Sequence, residues 1–272
     1  MMFGIIVVSL NPGDKLVETI DSIRKQTFTE YHVLVKDGGS KDDSIKILQD
    51  YLADHEDMRA RVEIVEEPDK SIYEGMNQAT EKASGEYFYF LNCGDHFAHE
   101  NSLQEMAAGI MAHKQNGGDS LIFYGDIFDV LRSQVVPSNP KIDDFACYRN
   151  VPCHQACVYH RSLFAERGYR TEFKVRADYE HFLWSYFCKN AKPQYIKVTL
   201  AEYEGGGFSE TKENRIRSAK EHRIITEIYM SKGQLFKYKT IMLLTLAPLR
   251  TKMAESPAMA GVYNFVKKLI YR

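Results

Sequence analysis

Cysteine is scarce and unpatterned in this 272-residue chain. Cys93, Cys147, Cys153, Cys157 and Cys188 are odd in number and include no Cys-x-x-Cys pair. That argues against a disulfide framework and favours a reduced, cytosolic protein. Long apolar runs are also missing: none reaches the roughly 18–20 residues of a membrane-spanning helix. The greasiest late segment, Ile241 to Leu249, is short and contains Pro248. Met1 to Leu10 is apolar but has neither a basic n-region nor a small-residue cleavage site. It reads as a first buried strand rather than a secretory signal. There is no excess of positive charge: 35 Lys+Arg against 37 Asp+Glu give a formal net charge of -2. A general nucleic-acid binder is therefore disfavoured. Internal repeats and low-complexity tracts are absent too.

What is present suits one large domain, or one domain with an appendage. A hydrophobic fraction of 44% can build a sizeable core, and 26% charged residues is ordinary for a soluble protein. The first half alternates apolar runs with helical patterns. Phe3 to Leu10 reads as a strand buried on both faces. Tyr31 to Val35, Arg61 to Val65 and Glu86 to Leu91 read as further strands. Between them, the spacing of Leu16, Ile20 and Ile23 predicts a helix. Two more are predicted over Ser40 to Ala53 and Ser71 to Ala83. This β-α-β repetition implies a mainly parallel sheet covered on both faces.

The pattern then loosens. Helices are predicted over Ser102 to Lys114, Ser162 to Arg167, Ala177 to Lys189 and Glu213 to Met230. Strands are predicted over Leu121 to Val130, Ala156 to Tyr159 and Tyr195 to Leu200, with a hairpin-like segment to Pro140. The tail after Gly233 reads as one or two amphipathic helices.

Two acids stand just past predicted strands: Asp37 in Lys36-Asp37-Gly38-Gly39-Ser40, and Asp95 in Leu91-Asn92-Cys93-Gly94-Asp95-His96. Ligands of open α/β sheets sit outside the carboxyl ends of the strands. Two acids delivered there suit a nucleotide and a divalent cation that neutralises a diphosphate.

Taken in order, several segments resemble family 2 glycosyltransferases of the A-type fold, in the bacterial polysaccharide-assembly branch. They are Ile5 to Asn11, Val35 to Ser40, Asp69 to Asn77, Gly85 to Asp95, Pro152 to Gln155, Ala177 to Glu180 and Gly205 to Ser209. The implied fold is α/β, with a Rossmann-like, mainly parallel central sheet flanked by helices and a helical C-terminal extension. Residues 1–210 would form the catalytic domain, with 1–97 its nucleotide-binding half and 98–210 its acceptor-binding half. Residues 211–272 would form the extension.

The implied reaction is inverting, metal-dependent transfer of a sugar from a nucleoside diphosphate, most often UDP, to a hydroxyl. The resemblance makes Asp178 the catalytic base and Asp95 the ligand of Mg²⁺ or Mn²⁺. Ser9, Asn11, Asp37, Asp69, Lys70 and Asn92 fall around the nucleotide. His154 and Gln155 fall where relatives contact acceptor or donor sugar, and Gly205 to Ser209 where a mobile loop closes over diphosphate. Arg215 and Arg217 could reach phosphate, although charged helix surfaces are the commoner reason for such residues.

Each residue also has a plainer reading. Asp37, Asp69 and Ser71 are good turn or cap residues, and Ser9 and Asn11 can simply form a turn. Asp178 could complement a helix N-terminus, and His154 could be a hydrogen-bonded structural histidine. Many relatives have an acid where this chain has Asn92 or Cys93, and the usual acid before the base is Ala177 here. Glu180 should point away from Asp178. Cys153, His154, Cys157 and His160 resemble a zinc cluster only superficially, because strand alternation separates them.

Leu235 to Arg272 carries seven Lys/Arg against one Glu, mixed with Leu243, Leu244, Leu246, Phe265, Val266 and Ile270. That suits an interfacial helix on anionic lipid, peripheral to the inner face of the cytoplasmic membrane. It equally suits helices packed on the catalytic domain or on a second copy in a homodimer. A lipid-linked oligosaccharide or other glycan acceptor fits the first reading. Competing functions are a sugar-phosphate nucleotidyltransferase, disfavoured because Ser9 to Asp14 is no basic glycine-rich loop, and a non-catalytic nucleotide- or glycan-binding scaffold.

Overall fold

The structure, a computed structural model, describes residues 1–205 and 211–245. Gly206, Gly207, Phe208 and Ser209 of the expected loop lie outside the described residues, as do Leu246, Phe265, Val266 and Ile270 of the tail. The first half runs β1 (Phe3–Ser9), α1 (Lys15–Arg24), β2 (Tyr31–Asp37), α2 (Ser44–Asp54), α3 (Glu56–Arg59), β3 (Val62–Glu66), α4 (Ile72–Lys82) and β4 (Tyr87–Phe90). There follow β5 (His96–Phe97), α5 (Ser102–Gln115), β6 (Ile122–Asp129), β7 (Gln134–Val136) and α6 (Asp144–Arg149). A 3₁₀ turn at His154–Ala156 leads into β8 (Cys157–His160), α7 (Ser162–Glu166), α8 (Ala177–Lys189) and β9 (Gln194–Tyr203). Helices α9 (Lys212–Tyr229) and α10 (Lys232–Leu244) complete the described chain. Two compact units divide inside α9, Met1–Arg223 and Ile224–Arg272.

The nine strands of the described residues belong to one sheet, ordered β3-β2-β1-β4-β8-β6-β9-β5, with β7 paired to β6. The run β3-β2-β1-β4 is parallel throughout, as the alternating sequence pattern implies. Beyond β4 the sheet is mixed: β8 is antiparallel to both β4 and β6, whereas β9 is parallel to β6. The expected mainly parallel character thus belongs to the first four strands. Winding runs from β1 to β2 and β3 on one side and places β4 on the other. The carboxyl ends of β1 and β4 therefore flank a topological switch point, where such sheets bind ligands.

Strand alternation decides which residues meet which helices. Phe3, Ile5 and Val7 of β1 share a buried cluster with Val33 and Val35 of β2 and with Leu16, Ile20 and Ile23 of α1. Leu48 of α2 and Leu103, Met106 and Ile110 of α5 join them. Each such side chain contributes roughly 1.5–3 kcal/mol by leaving water. The alternate residues point the other way: Phe88 and Phe90 meet Phe164 at ring-centroid distances of 6.0 and 5.4 Å. Lys36 belongs to this second set, which sends a charged side chain into the interior on the α4 side.

Two local differences from the sequence reading have clear causes. The helix expected from Ser40 begins at Ser44, because the Asp37 carboxylate takes the backbone N–H groups of Gly39 and Ser40 at 2.8 and 2.7 Å. Helix α6 was not anticipated; its six residues show too little periodicity, and its start is fixed by Asp143, whose side chain accepts from Ala146 N at 2.8 Å. Among the described residues no helix is long and apolar enough to cross a membrane.

Candidate active site

The ends of β1 and β2 are stitched into one platform. Gly38 N donates to the Ser9 carbonyl at 2.9 Å, and Ser9 Oγ donates to Asp37 Oδ1 at 3.3 Å. Asn11 N donates to Ser40 Oγ at 2.7 Å, while Asn11 Oδ1 accepts from Lys41 N at 2.8 Å. Asn11 has φ 48°, a left-handed conformation that asparagine tolerates. Asp42, unforeseen in the sequence, accepts from Gly13 N at 2.9 Å. Asp37 is 1% exposed, and Ser40 Oγ also donates to its Oδ1 at 2.5 Å. The side chains of Ser9, Asn11 and Asp37 thus already make turn-forming contacts, and those contacts shape the platform beside the switch point.

Below the platform lies an ion pair. Lys36 Nζ, whose side chain is fully buried, stands 2.7 Å from Asp69 Oδ2 and 3.2 Å from the Asp37 carbonyl. The carboxylate is wedged between two glycines. A Cβ on Gly38 or on Gly75 would lie 2.8 Å from Asp69 Oδ2. A lysine inside an apolar strand is itself a signal that a buried acid must be nearby, although the sequence does not say which. Lys70 is exposed. Its backbone N–H is taken by Glu74 Oε2 at 2.7 Å, and Ser71 Oγ accepts from Glu74 N at 3.3 Å. The start of α4 is therefore capped by its own residues, with Ser71 as N-cap.

Asp95 follows β4 and is 6% exposed. Its Oδ2 accepts from Gln155 Nε2 at 2.9 Å and its Oδ1 from Glu204 N at 3.3 Å. Burial pushes its carboxyl above the ordinary value, with the Gln155 hydrogen bond opposing. In the same turn, Asn92 Oδ1 is buried and has no hydrogen-bond partner among the described residues, while the Asn92 carbonyl accepts from Asp95 N at 2.9 Å. A desolvated carboxylate and an orphaned amide oxygen are hard oxygen donors, so the residues present fit Mg²⁺ or Mn²⁺. Among the described residues no group of three or more His, Cys, Asp or Glu is placed to hold a metal ion. A cation here would rest on Asp95, Asn92 and substrate oxygens. Beside it, Lys15 Nζ and Glu204 Oε2 form an exposed pair at 2.6 Å.

The 3₁₀ turn supplies the next wall. Gln155 is held at every polar atom of its amide: Nε2 by Asp95, and Oε1 by the Cys153 thiol at 3.0 Å. Its carbonyl accepts from Tyr89 at 2.9 Å. The structure thus places Gln155 against Asp95. His154 Nε2 pairs with the Tyr169 hydroxyl at 2.9 Å. Burial lowers its pKa, so it is neutral at pH 7. Burial also pushes the Cys93 and Cys153 thiols up to about 12, which leaves neither as a thiolate nucleophile at neutral pH.

Asp178 opens α8 and is half-buried. Its Oδ1 lies 2.8 Å from the Tyr73 hydroxyl. Glu180 is turned away and fully buried, with both oxygens on Arg167 at 2.9 and 3.0 Å. That leaves Asp178 as the carboxylate of this helix turned toward Tyr73. Glu221 of α9, which nothing in the sequence marked, accepts from Lys174, Val175 and Arg176 N at 2.9, 3.0 and 2.9 Å. A carboxylate on three adjacent N–H groups fixes the segment that delivers Asp178.

The sequence model described as Glycosyl transferase family 2 matches residues 4–168. A PGL/p-HBAD biosynthesis glycosyltransferase of Mycobacterium bovis (strain BCG / Pasteur 1173P2) is 30% identical over 213 residues, covering 77% of this chain and 80% of that protein. Among solved structures, S. aureus TarS 1–349 in complex with UDP superposes with a TM-score of 0.63 at 19% identity, over 86% of this chain and 68% of that one. Mannosyltransferase PcManGT from Pyrobaculum calidifontis, in complex with GDP-Man and Mn²⁺, gives 0.62 at 16% identity, over 99% and 80%. These likenesses establish the fold as the A-type glycosyltransferase fold.

Proposed function

We propose that this chain, which belongs to glycosyl transferase family 2, is an inverting, metal-dependent enzyme that moves a sugar from a UDP-sugar to a hydroxyl of a glycan or lipid-linked acceptor. The observation that carries the reading is the desolvated Asp95 at the switch point, beside the orphaned Asn92 Oδ1. Such a pair is unfavourable as it stands and gains from a cation. The complexes of the structural neighbours support a nucleotide-sugar donor, with UDP in one and GDP-Man with Mn²⁺ in the other.

Each residue then has a task. Asp37 and the loops it staples receive the nucleoside, and the Lys36–Asp69 pair underlies that pocket. Asp95 and Asn92 would hold Mg²⁺ or Mn²⁺, which supplies charge neutralisation for the leaving diphosphate. Asp178 accepts the proton of the acceptor hydroxyl as its oxygen attacks the anomeric carbon. The bond from that carbon to the diphosphate oxygen breaks through an oxocarbenium-like state, as in glycoside cleavage. Attack on the face opposite the diphosphate inverts the centre. Exposed Phe236, Leu243 and Leu244 on α10, interspersed with exposed Lys237 and Lys239, suit contact with the inner face of the cytoplasmic membrane, where a lipid-linked acceptor is presented.

Calorimetric titration with UDP, dTDP and GDP, each with and without Mn²⁺, tests the donor site. Mn²⁺-dependent binding of UDP is the expected result; metal-independent binding, or none, would count against the reading. Asp178→Asn should abolish transfer and leave UDP affinity within about twofold. Loss of UDP binding in that variant would remove Asp178 from the role of base.

A further inference from the structure

Tyr73 lies in the first turn of α4, and the phenol reaches across to the segment that carries Asp178. Its hydroxyl is 2.8 Å from Asp178 Oδ1 and 3.0 Å from the Val175 carbonyl. The ring is 8% exposed and packs on Tyr169 at 5.4 Å. Burial first, and the Asp178 charge next, push the phenol well above its ordinary value. The group therefore stays protonated and acts as a donor at working pH. One proton faces two acceptors, and the charged one is the closer; hydrogen bonds to ionised groups are the stronger kind.

The peptide of Val175 is gripped from both sides. Its N–H goes to Glu221 Oε2 at 3.0 Å, and its carbonyl receives Tyr73. Arg176, one residue on, is turned aside by Ser218 Oγ at 2.7 Å and Asn150 Oδ1 at 3.0 Å. With backbone and Oδ1 both held, the Asp178 carboxylate has one orientation, and Oδ2 makes no protein hydrogen bond among the described residues. The other titratable groups around Asp178 are Cys153 and His154 of the 3₁₀ turn, Cys157 and Tyr159 of β8, and Tyr169. All five are driven by burial toward their neutral forms. Among the described residues, Tyr73 makes the one side-chain hydrogen bond to this carboxylate.

We propose that Tyr73 is a positioning residue for Asp178. Its hydroxyl fixes Oδ1 and stabilises the ionised carboxylate, so that Oδ2 meets the acceptor proton. The same helix carries Gly75 against Asp69, so α4 ties the floor of the donor pocket to the base. This inference rests on Asp178 being the base.

The test is turnover by the full chain with a nucleotide sugar that the wild-type protein turns over. Tyr73→Phe keeps the ring and its packing and removes only the donor. With the carboxylate no longer held in place, kcat should fall about tenfold or more, while the donor KM and UDP affinity stay within about twofold. An unchanged kcat in folded Tyr73→Phe would overturn the inference and leave the base assignment standing. Full turnover in Asp178→Asn would overturn the base assignment itself.

Discussion

Gln155 Nε2 donates to Asp95 Oδ2 at 2.9 Å, and the neighbouring His154 pairs with the Tyr169 hydroxyl. One short turn therefore addresses the proposed metal acid with one residue and the aromatic wall beside Asp178 with the residue before it. Tyr169 lies 5.4 Å from the ring of Tyr73, which hydrogen-bonds Asp178. The two carboxylates of the proposed reaction are joined by this chain of packed side chains, so their separation is a property of the fold.

Asp95 should make the metal-free protein sensitive to pH in an unusual direction. Its pKa is raised above the ordinary 3.8 by burial. Stability from this group is thus fully present below 3.8 and is lost as pH rises through the folded value. Asp95→Asn should gain Tm relative to wild type as the pH goes from 4 to 7, by about 2–4 °C per kcal/mol for a chain of this size. UDP with Mn²⁺ should raise the wild-type Tm but not that of the variant. A Tm difference constant with pH would contradict the burial argument.

Asp69→Asn leaves the Lys36 ammonium buried without its counter-charge. Breaking such a pair from one side costs roughly 3–5 kcal/mol. The double variant Lys36→Met with Asp69→Asn removes the stranded charge and should recover much of that loss. Urea unfolding of the single and double variants measures both quantities. Equal destabilisation in the two proteins would show that the ion pair is not what the site depends on.

Gly75 sits inside α4, where alanine would ordinarily stabilise a helix by about 1 kcal/mol. Here the new Cβ would lie 2.8 Å from Asp69 Oδ2. Gly75→Ala should therefore lower Tm and weaken UDP binding several-fold. Gly233→Ala, at a position with nothing within 4 Å of the added Cβ, is the matched control and should do neither. A stabilised Gly75→Ala protein with normal UDP affinity would place Asp69 elsewhere.

His181 is fully buried and stacks on Phe164 at 4.4 Å. Burial, helped by the nearby Arg167 charge, lowers its pKa from 6.5 to about 3. Its stability contribution is present above 6.5 and is lost as pH falls toward the folded value, roughly 2 kcal/mol by pH 5. His181→Phe should flatten the fall in unfolding free energy between pH 7 and 5 by about that amount, with catalysis unchanged. His154 and His222, lowered in the same direction by burial, should keep a residual slope. An identical slope in the variant would exclude His181 as the source.

Local pattern was enough to show the parallel half of the fold, because a buried parallel strand and its crossover helix each leave a continuous signature along the chain. Phe3 to Ser9, Tyr31 to Asp37 and Ala177 to Lys189 could be read almost to the residue. The acids at strand ends, Asp37 and Asp95, were visible for the same reason: where the apolar run stops, the carboxyl end of a strand begins. The two-residue β5 and the six-residue α6 were too short to carry a period. What no local pattern could contain is which side chains meet across large separations. Lys36 finds Asp69, Gln155 turns to Asp95, Tyr73 reaches Asp178 over 105 positions, and Glu221 caps the segment before it. Those pairings depend on how the sheet curls and on which face each helix presents. Sequence therefore determined the chemical parts of the site, and tertiary structure decided their partners, orientation and charge.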